Sequence, residues 1–480
     1  MLEVGITHLP KTLDPTKLAF MEHFLLLQCT SQTLVRISEK GTIVGDLAKK
    51  WKIKENGSVY EFEIVKDAFF HHLKKRVTAK DVAISISRHF WHNSMVAGYL
   101  KPLLAEDKTI KKGKIHKSIQ VLSPTKLSIK LIKPYPPFLH VLSMPGFAIL
   151  SKEDHRFSGP MTNNFNSKSK RWEFNKNELY KGNLPELNSI SVRSIETTRK
   201  AFQLFKKGLL DIALGLPLSE LENLSLPKNT LITKSRSLAI AHMYFNATSK
   251  LFLKKEIRKD IASLIMQEAR FSSNKSFLHE ISPTFLPKGV MPLKYYKREK
   301  YVTSINEVKK RWGRSLSHKK INIVLMKSVF TDSFFDSITE IFHKLGAEIN
   351  LIKATPNTLV KHMANNNYDI IGGRYFGNFP DPDGFIDIIK PTSPLRYGVF
   401  PNNHFFEKIN DIRFTTDQSM RLNLYSSAFR EFEDQWFIIP LYRINVPVIH
   451  RKAITIPETN FRYESELWKI LWSTKKEVEN

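Results

Sequence analysis

Residues 320–376 restrict the fold more than any other stretch, because they alternate strand and helix patterns twice without interruption. "KINIVLM" (320–326) reads as a strand. "TDSFFDSITEIFHKLG" (331–346) reads as a helix with one apolar face, Phe334, Phe335, Ile338, Ile341, Phe342 and Leu345, stopped by Gly346. "AEINLIKA" (347–354) is a second strand, "TPNTLVKHMANNN" (355–367) a helix opened by Thr-Pro, and "YDIIGGRYF" (368–376) a third strand. Strands joined through helices in this way lie parallel, so the pattern predicts a doubly wound α/β unit. Such sheets bind ligands just beyond the carboxyl ends of their strands.

The chain places "GNFPDPDGFIDII", Gly377 to Ile389, at that position. Asp-Pro and Asp-Gly steps favour a turn by themselves. A calcium loop needs oxygens at positions 1, 3 and 5, Gly at 6 and Glu at 12. Counted from Asp381, the fourth residue is Gly384, the sixth Ile386 and the twelfth Thr392. The pattern fails, and no metal is assigned.

The rest of the chain gives further elements. "EVGIT" reads as a strand and "FMEHFLLLQCTSQTLV" (20–35) as a helical run. The Asn-Gly step in "KENGSVYEFEIV" reads as a hairpin. Thr78, with Asp81 three residues on, opens a helix through Phe90. "SIQVLSPTKLSIKLIKPYPPFLHVL" holds two strands around Ser-Pro. From about residue 185 the text becomes α/β: strand "LNSISVRSI", helix "ETTRKAFQLFKKG", and strands "LLDIALGLP" and "LAIAHMYFN". A helix around Ile257, Ile261, Leu264 and Ile265 follows. Near the end come a helix, "QSMRLNLYSSAFREFED", and an extended segment, "WFIIPLYRINVPVIH".

At 480 residues with 42% hydrophobic and 11% aromatic content, the chain predicts a globular protein of two or three domains. No apolar run approaches the roughly 20 residues of a membrane helix. "MLEVGITHLPKTLDP" shows no basic stretch followed by an apolar one, so no export signal is read there. The single cysteine, Cys29, excludes an intrachain disulfide and reads as a small buried hydrophobe. The net charge of +28 is spread over "HHLKKRVTAK", "KTIKKGKIHK", "FNSKSKRWEF" and "KYYKREKYV". None of these sits in a nucleic-acid-binding motif, and a basic solvated surface is the reading adopted.

No nucleophile elbow, HExxH, phosphate loop or GxGxxG occurs, and no catalytic residue is assigned. His89 and His92 are spaced to share a helix face but lack a third ligand. His71 and His72 are adjacent and would point apart on a strand. No cofactor is expected.

Several segments, in order, resemble the family-5 extracellular solute-binding proteins: "TLDP" (12–15), "GTIVGDLAKKWKIKENGSVYEFEI" (41–64), "VTAKDVAISISR" (77–88), "FQLFKKGLLDIALGLP" (202–217), "MYFN" (243–246) and "YDIIGGRYFGNFPDPDGF" (368–385). The resemblance implies an α/β, two-lobed periplasmic-binding-protein-like fold of type II, with an extra subdomain at about 41–145. The first lobe would comprise 1–238 plus 439–480, and the second 239–438. "AIAHMYFN" and "IIPLYRINV" would cross between them, and the lobes would close on a ligand.

The implied role is the substrate receptor of an ABC importer, with a peptide or related polar solute and the importer's membrane subunits as partners. A monomer outside the cytoplasmic membrane is implied. The family also supplies sensing parts of regulators, so a ligand-sensing or nucleic-acid-associated protein is the alternative, and an enzyme is third.

The implied ligand contacts are Tyr375, Phe376, Asn378 and Asp381, with Pro380, Pro382, Asp383 and Gly384 shaping the loop. Asp381 is also expected to help shape it. Peptide-binding members carry an aspartate for the ligand's amino terminus where this chain has Asn378. An amide accepts a hydrogen bond from an ammonium but cannot neutralise it. The stretch "FFHHLKKRVTAKDV" also lacks the family's glycine, which implies an altered hairpin at 69–77.

Overall fold

A computed structural model describes residues 1–18, 21–38, 41–72, 75–94, 96–152, 156–182, 184, 187–216, 218–221, 225–273, 279–296, 301–377, 379–389, 403–456 and 475–476. The β-α-β-α-β unit forms as the periodicity predicts. Strand Lys320–Met326, helix Asp332–Lys344, strand Glu348–Ala354, helix Pro356–Ala364 and strand Ile370–Phe376 follow one another. Thr331 and Thr355 cap the two helices by accepting from Phe334 N and Thr358 N, and Pro356 opens the second. Lys320–Met326 lies between the other two strands and runs parallel to both.

This unit is one end of a sheet of eleven strands. Two long antiparallel strands, Thr230–Phe245 and Ile438–Arg451, form its middle and pair along their length. Ile370–Phe376 pairs with one end of the first, from Ala239 to Phe245. At the opposite end of the second, Ile212 faces His450. From there the sheet continues through Ile212–Leu214, Leu2–Ile6, Ser189–Ser194, Arg171–Lys176 and Met161–Asn166. The two central strands therefore carry the chain from one half of the molecule to the other. The pairing slips between Ser235 and Ala239, where Ser237 donates its hydroxyl to Ile444 O over 2.6 Å. Such an irregularity bends a strand pair locally.

A separate antiparallel sheet has the order Ala48–Lys54, Val59–Ile64, Lys126–Lys130, Ile119–Ser123. The Asn-Gly step makes its first turn, with Asn56 at φ 52° and Gly57 at φ 94°. Helix Ala79–Trp91 packs beside this sheet behind the Thr78–Asp81 capping box. Their shared core runs from Leu34 to Ile149 and takes one residue from far along the chain, Phe379. On the solvent face, Lys50 and Lys54 pair with Glu63 and Glu61 at 3.3 and 2.7 Å.

Two expectations need correction. The helical run of 20–35 stops at Thr30, and Val35–Ile37 is a strand paired with Ile43–Gly45. The half-buried Asp46 explains the break, because its carboxylate accepts from Thr33 N over 2.8 Å and from Gln32 Nε2 over 2.6 Å, holding the backbone extended. The second concerns "FNSKSKRWEF", read only as a basic stretch. It is a hairpin, Met161–Asn166 with Arg171–Lys176, whose Trp172 and Phe174 are core residues.

Candidate functional site

The segment Gly377–Ile389 leaves the carboxyl end of Ile370–Phe376 and turns at once into a short 3-10 helix, Pro382–Ile388. Asp381 caps that helix by accepting from Asp383 N over 3.1 Å, and Pro382 occupies its first turn. Gly384 N donates to Asp381 O. A Cβ on Gly384 would lie 2.5 Å from Phe379 O, so the tightness of the turn demands a glycine there. The two sides of the segment pack into different cores. Phe385 and Ile386 join the large core of the 320–376 unit, whereas Phe379 joins the core of the four-stranded sheet, edge-on to Tyr99.

Asp381 and Asp383 are both buried, and each faces a guanidinium. Arg421, on helix Gln418–Asp434, donates to both Asp381 oxygens at 2.8 and 2.5 Å. Arg421 has no solvent exposure. Asp383 accepts from Arg413 Nε at 3.3 Å and from the Tyr425 hydroxyl, with Tyr135 beside it. Burial works to raise the Asp383 pKa, but Arg413 and Arg421 outweigh it and hold it below the usual carboxylate value. Burial, reinforced by the Asp383 charge, drives the Tyr425 and Tyr135 hydroxyls well above theirs. Asp381 thus has both oxygens engaged by protein. Pro380 is half-buried. Asn378 lies outside the described residues.

Strand alternation separates the remaining candidates. Tyr375 is buried, its ring near Phe385 and its hydroxyl donating to Gly384 O over 3.2 Å. Arg374 and Phe376 lie on the other face. Phe376 is half-buried and packs against two cores, that of the 320–376 unit and that around Leu2–Ile6. The Arg374 guanidinium lies 5.1 Å from the Phe376 ring centroid. Arg374 also acts electrostatically on His8 and Glu22, which belong to the opposite half of the sheet.

A seam between the halves is thereby defined. One wall is Arg374 and Phe376. The other is Thr7 and His8, after strand Leu2–Ile6, with Glu22 on helix Met21–Thr30 and Gly215 after Ile212–Leu214. Glu22 is a buried carboxylate, and His8, beside it, has its pKa raised by that contact. Sequence reasoning did not find Arg374, His8 or Glu22, because none stands in a spaced motif.

The other titratable candidates resolve structurally. Cys29 is buried, and desolvation pushes its thiol up to about 12. His89 bonds Ser94 Oγ at 2.8 Å inside the core, whereas His92 ends the helix. His71 is buried against Gly159 O at 3.0 Å, and His72 is exposed in a turn. Among the described residues no group of three or more His, Cys, Asp or Glu is placed to hold a metal ion. No helix among them is long and apolar enough to cross a membrane.

Residues 42–394 match the profile of the bacterial extracellular solute-binding proteins, family 5. The chain is 23% identical over 486 residues to the probable D,D-dipeptide-binding periplasmic protein DdpA of Escherichia coli, covering 95% of this chain and 90% of that one. The solved structure of the ABC transporter substrate-binding protein CtaP of Listeria monocytogenes superposes with a TM-score of 0.82 at 17% identity, covering 99% of both chains. That of the periplasmic binding protein DppA of Helicobacter pylori, in complex with the peptide STSA, gives 0.78 at 19%, covering 99% and 98%. The fold is the two-lobed, type II periplasmic-binding-protein fold. This chain belongs to the bacterial extracellular solute-binding proteins of family 5.

Proposed function

We propose that this protein is the substrate receptor of an ABC importer and that it captures short peptides between its lobes outside the cytoplasmic membrane. The observation that carries the reading is the seam itself. Charged and aromatic side chains from the two halves of one continuous sheet face each other there, beside two long strands that pass from one half to the other. Lobes linked by two crossing strands close by hinge motion around a solute. Its relatives include a probable D,D-dipeptide-binding protein and a binding protein solved with a peptide, which points to the solute class.

The lobe limits carried by this proposal are 1–238 with 439–480 and 239–438, with a subdomain at about 41–145. Within it, Phe376 bounds the solute, and Asp381, Asp383, Pro380, Pro382 and Gly384 hold the loop in shape. The protein acts as a monomer, delivers its solute to the importer's membrane subunits and performs no turnover. The regulatory alternative draws no support from a family of solute-binding proteins.

The test is to denature the purified protein and identify what it releases by mass spectrometry. Short peptides in near-stoichiometric amount are expected. A released sugar or metal chelate in their place would overturn the peptide assignment.

A further inference from the structure

Glu22 is 8% exposed, and its side-chain partners stand at long range. The Thr7 hydroxyl donates to its Oε1 over 3.4 Å, and His8 Nδ1 stands 4.0 Å away. Charge-assisted hydrogen bonds to carboxylates run at about 2.7–2.9 Å, so neither contact is one. Among the described residues no lysine or arginine forms an ion pair with it. Asp381, equally buried, has a guanidinium on both oxygens. Burial works to raise the Glu22 pKa, but the His8 imidazole, the residue's own N–H and, least, the Arg374 charge outweigh it, so the group stays ionised at neutral pH. Its charge is met by an imidazole and polar groups rather than by a guanidinium or ammonium at ion-pair distance, which leaves its oxygens able to accept from an arriving cation.

The backbone is shaped to keep that carboxylate in place. Gly215 sits at φ 76°, and a Cβ there would lie 2.3 Å from Glu22 Oε1 and 2.6 Å from Thr7 Oγ1. Any side chain at 215 would displace the group. Across the seam stand Phe376 and, over its ring, the positive Arg374. The charges therefore have a direction, negative on the Glu22 wall and positive on the Arg374 wall.

We propose that Glu22 receives the cationic amine of the bound solute, seated in the Thr7–Gly215 cradle on its own side of the seam. The proposal rests on the peptide-receptor reading and gives that site its specificity residue. Arg374 fixes the solute's direction, because an amine is repelled from that wall.

Glu22→Gln keeps the shape and removes the charge. Both forms are incubated at pH 7 with an equimolar pool of tripeptides built from uncharged residues, half with free amino termini and half N-acetylated. Bound peptides are counted by native mass spectrometry. The wild type is expected to prefer free amines by at least about thirtyfold, and Glu22→Gln to lose that preference. Glu22→Asp, which draws the charge back by one methylene, is expected to keep part of it, a grading that a merely structural role would not produce. Melting curves establish that each variant is folded. An unchanged preference in Glu22→Gln overturns the role of Glu22 and leaves the peptide reading standing. If the wild type retains neither kind of peptide, the peptide reading falls and the amine anchor falls with it.

Discussion

Asp381 and Asp383 on one side, and Glu22 on the other, are buried to similar extents and differ in their company. The loop aspartates meet Arg421 and Arg413 at hydrogen-bond distance, with the Tyr425 hydroxyl on Asp383. Glu22 meets a hydroxyl at 3.4 Å and an imidazole at 4.0 Å. Burial alone does not separate a structural carboxylate from a binding one; the distance to the compensating charge does. A carboxylate already neutralised within the fold has little left to offer a ligand. One whose side-chain partners are a hydroxyl and an imidazole at longer range keeps oxygens open to a cationic visitor.

The largest expected effect tests the loop side. Arg421→Ala leaves Asp381 buried without its guanidinium, and a broken buried pair costs about 3–5 kcal/mol. Chemical denaturation is expected to show that loss, or the variant to accumulate as aggregate. A loss under about 1 kcal/mol would mean that Asp381 is solvated and would erase the contrast with Glu22. Next comes Phe379→Ala, which empties a fully buried position shared between the loop and the four-stranded sheet. A Phe→Ala change in a core costs about 3–5 kcal/mol. The additional expectation is faster proteolysis of the 41–145 region.

A smaller effect of opposite sign distinguishes a fourth carboxylate. Asp46, in the break after helix Met21–Thr30, is raised to about 6 by burial, which outweighs its bonds from Thr33 and Gln32. Its protonated form is the one the fold favours. Its contribution to stability is present below the ordinary aspartate value and lost as pH rises through about 6. Asp46→Asn is therefore expected to stabilise the protein above pH 6, by about 1–3 kcal/mol, and to change little near pH 4. Asp383, with a lowered pKa, behaves in reverse: its contribution is present above the ordinary value and lost as pH falls below it. Urea titrations of Asp46→Asn and Asp383→Asn between pH 4 and 8 should diverge, and parallel curves would show that the two environments are alike.

How much the sequence disclosed depended on the range of the interactions involved. The β-α-β-α-β unit was legible because periodicity and caps such as Thr331 and Thr355 are local. The turn into Pro382–Ile388 was legible for the same reason, since Asp-Pro and Asp-Gly steps act within a few residues. The partners Arg413 and Arg421 lie 30 and 40 residues away, and nothing in the loop announces them. The break at Thr30 was missed because a carboxylate 13 residues on, Asp46, captures Thr33 N and overrides helical propensity. Trp172 and Phe174 were hidden by the lysines of their own hairpin turn. Glu22, Gly215 and Arg374 share one seam only because Ile212–Leu214 and Ile370–Phe376 join the same sheet from opposite sides.

The most direct test of the contrast is a thermal melt of wild type, Asp381→Asn and Glu22→Gln, each with and without the free-amine tripeptide pool. A ligand that binds the native state raises the apparent Tm. Asp381→Asn should melt several degrees lower than wild type and still respond to the pool. Glu22→Gln should melt close to wild type and respond little. If Asp381→Asn instead melts like wild type and loses its response while Glu22→Gln keeps its own, the two carboxylates have the opposite roles.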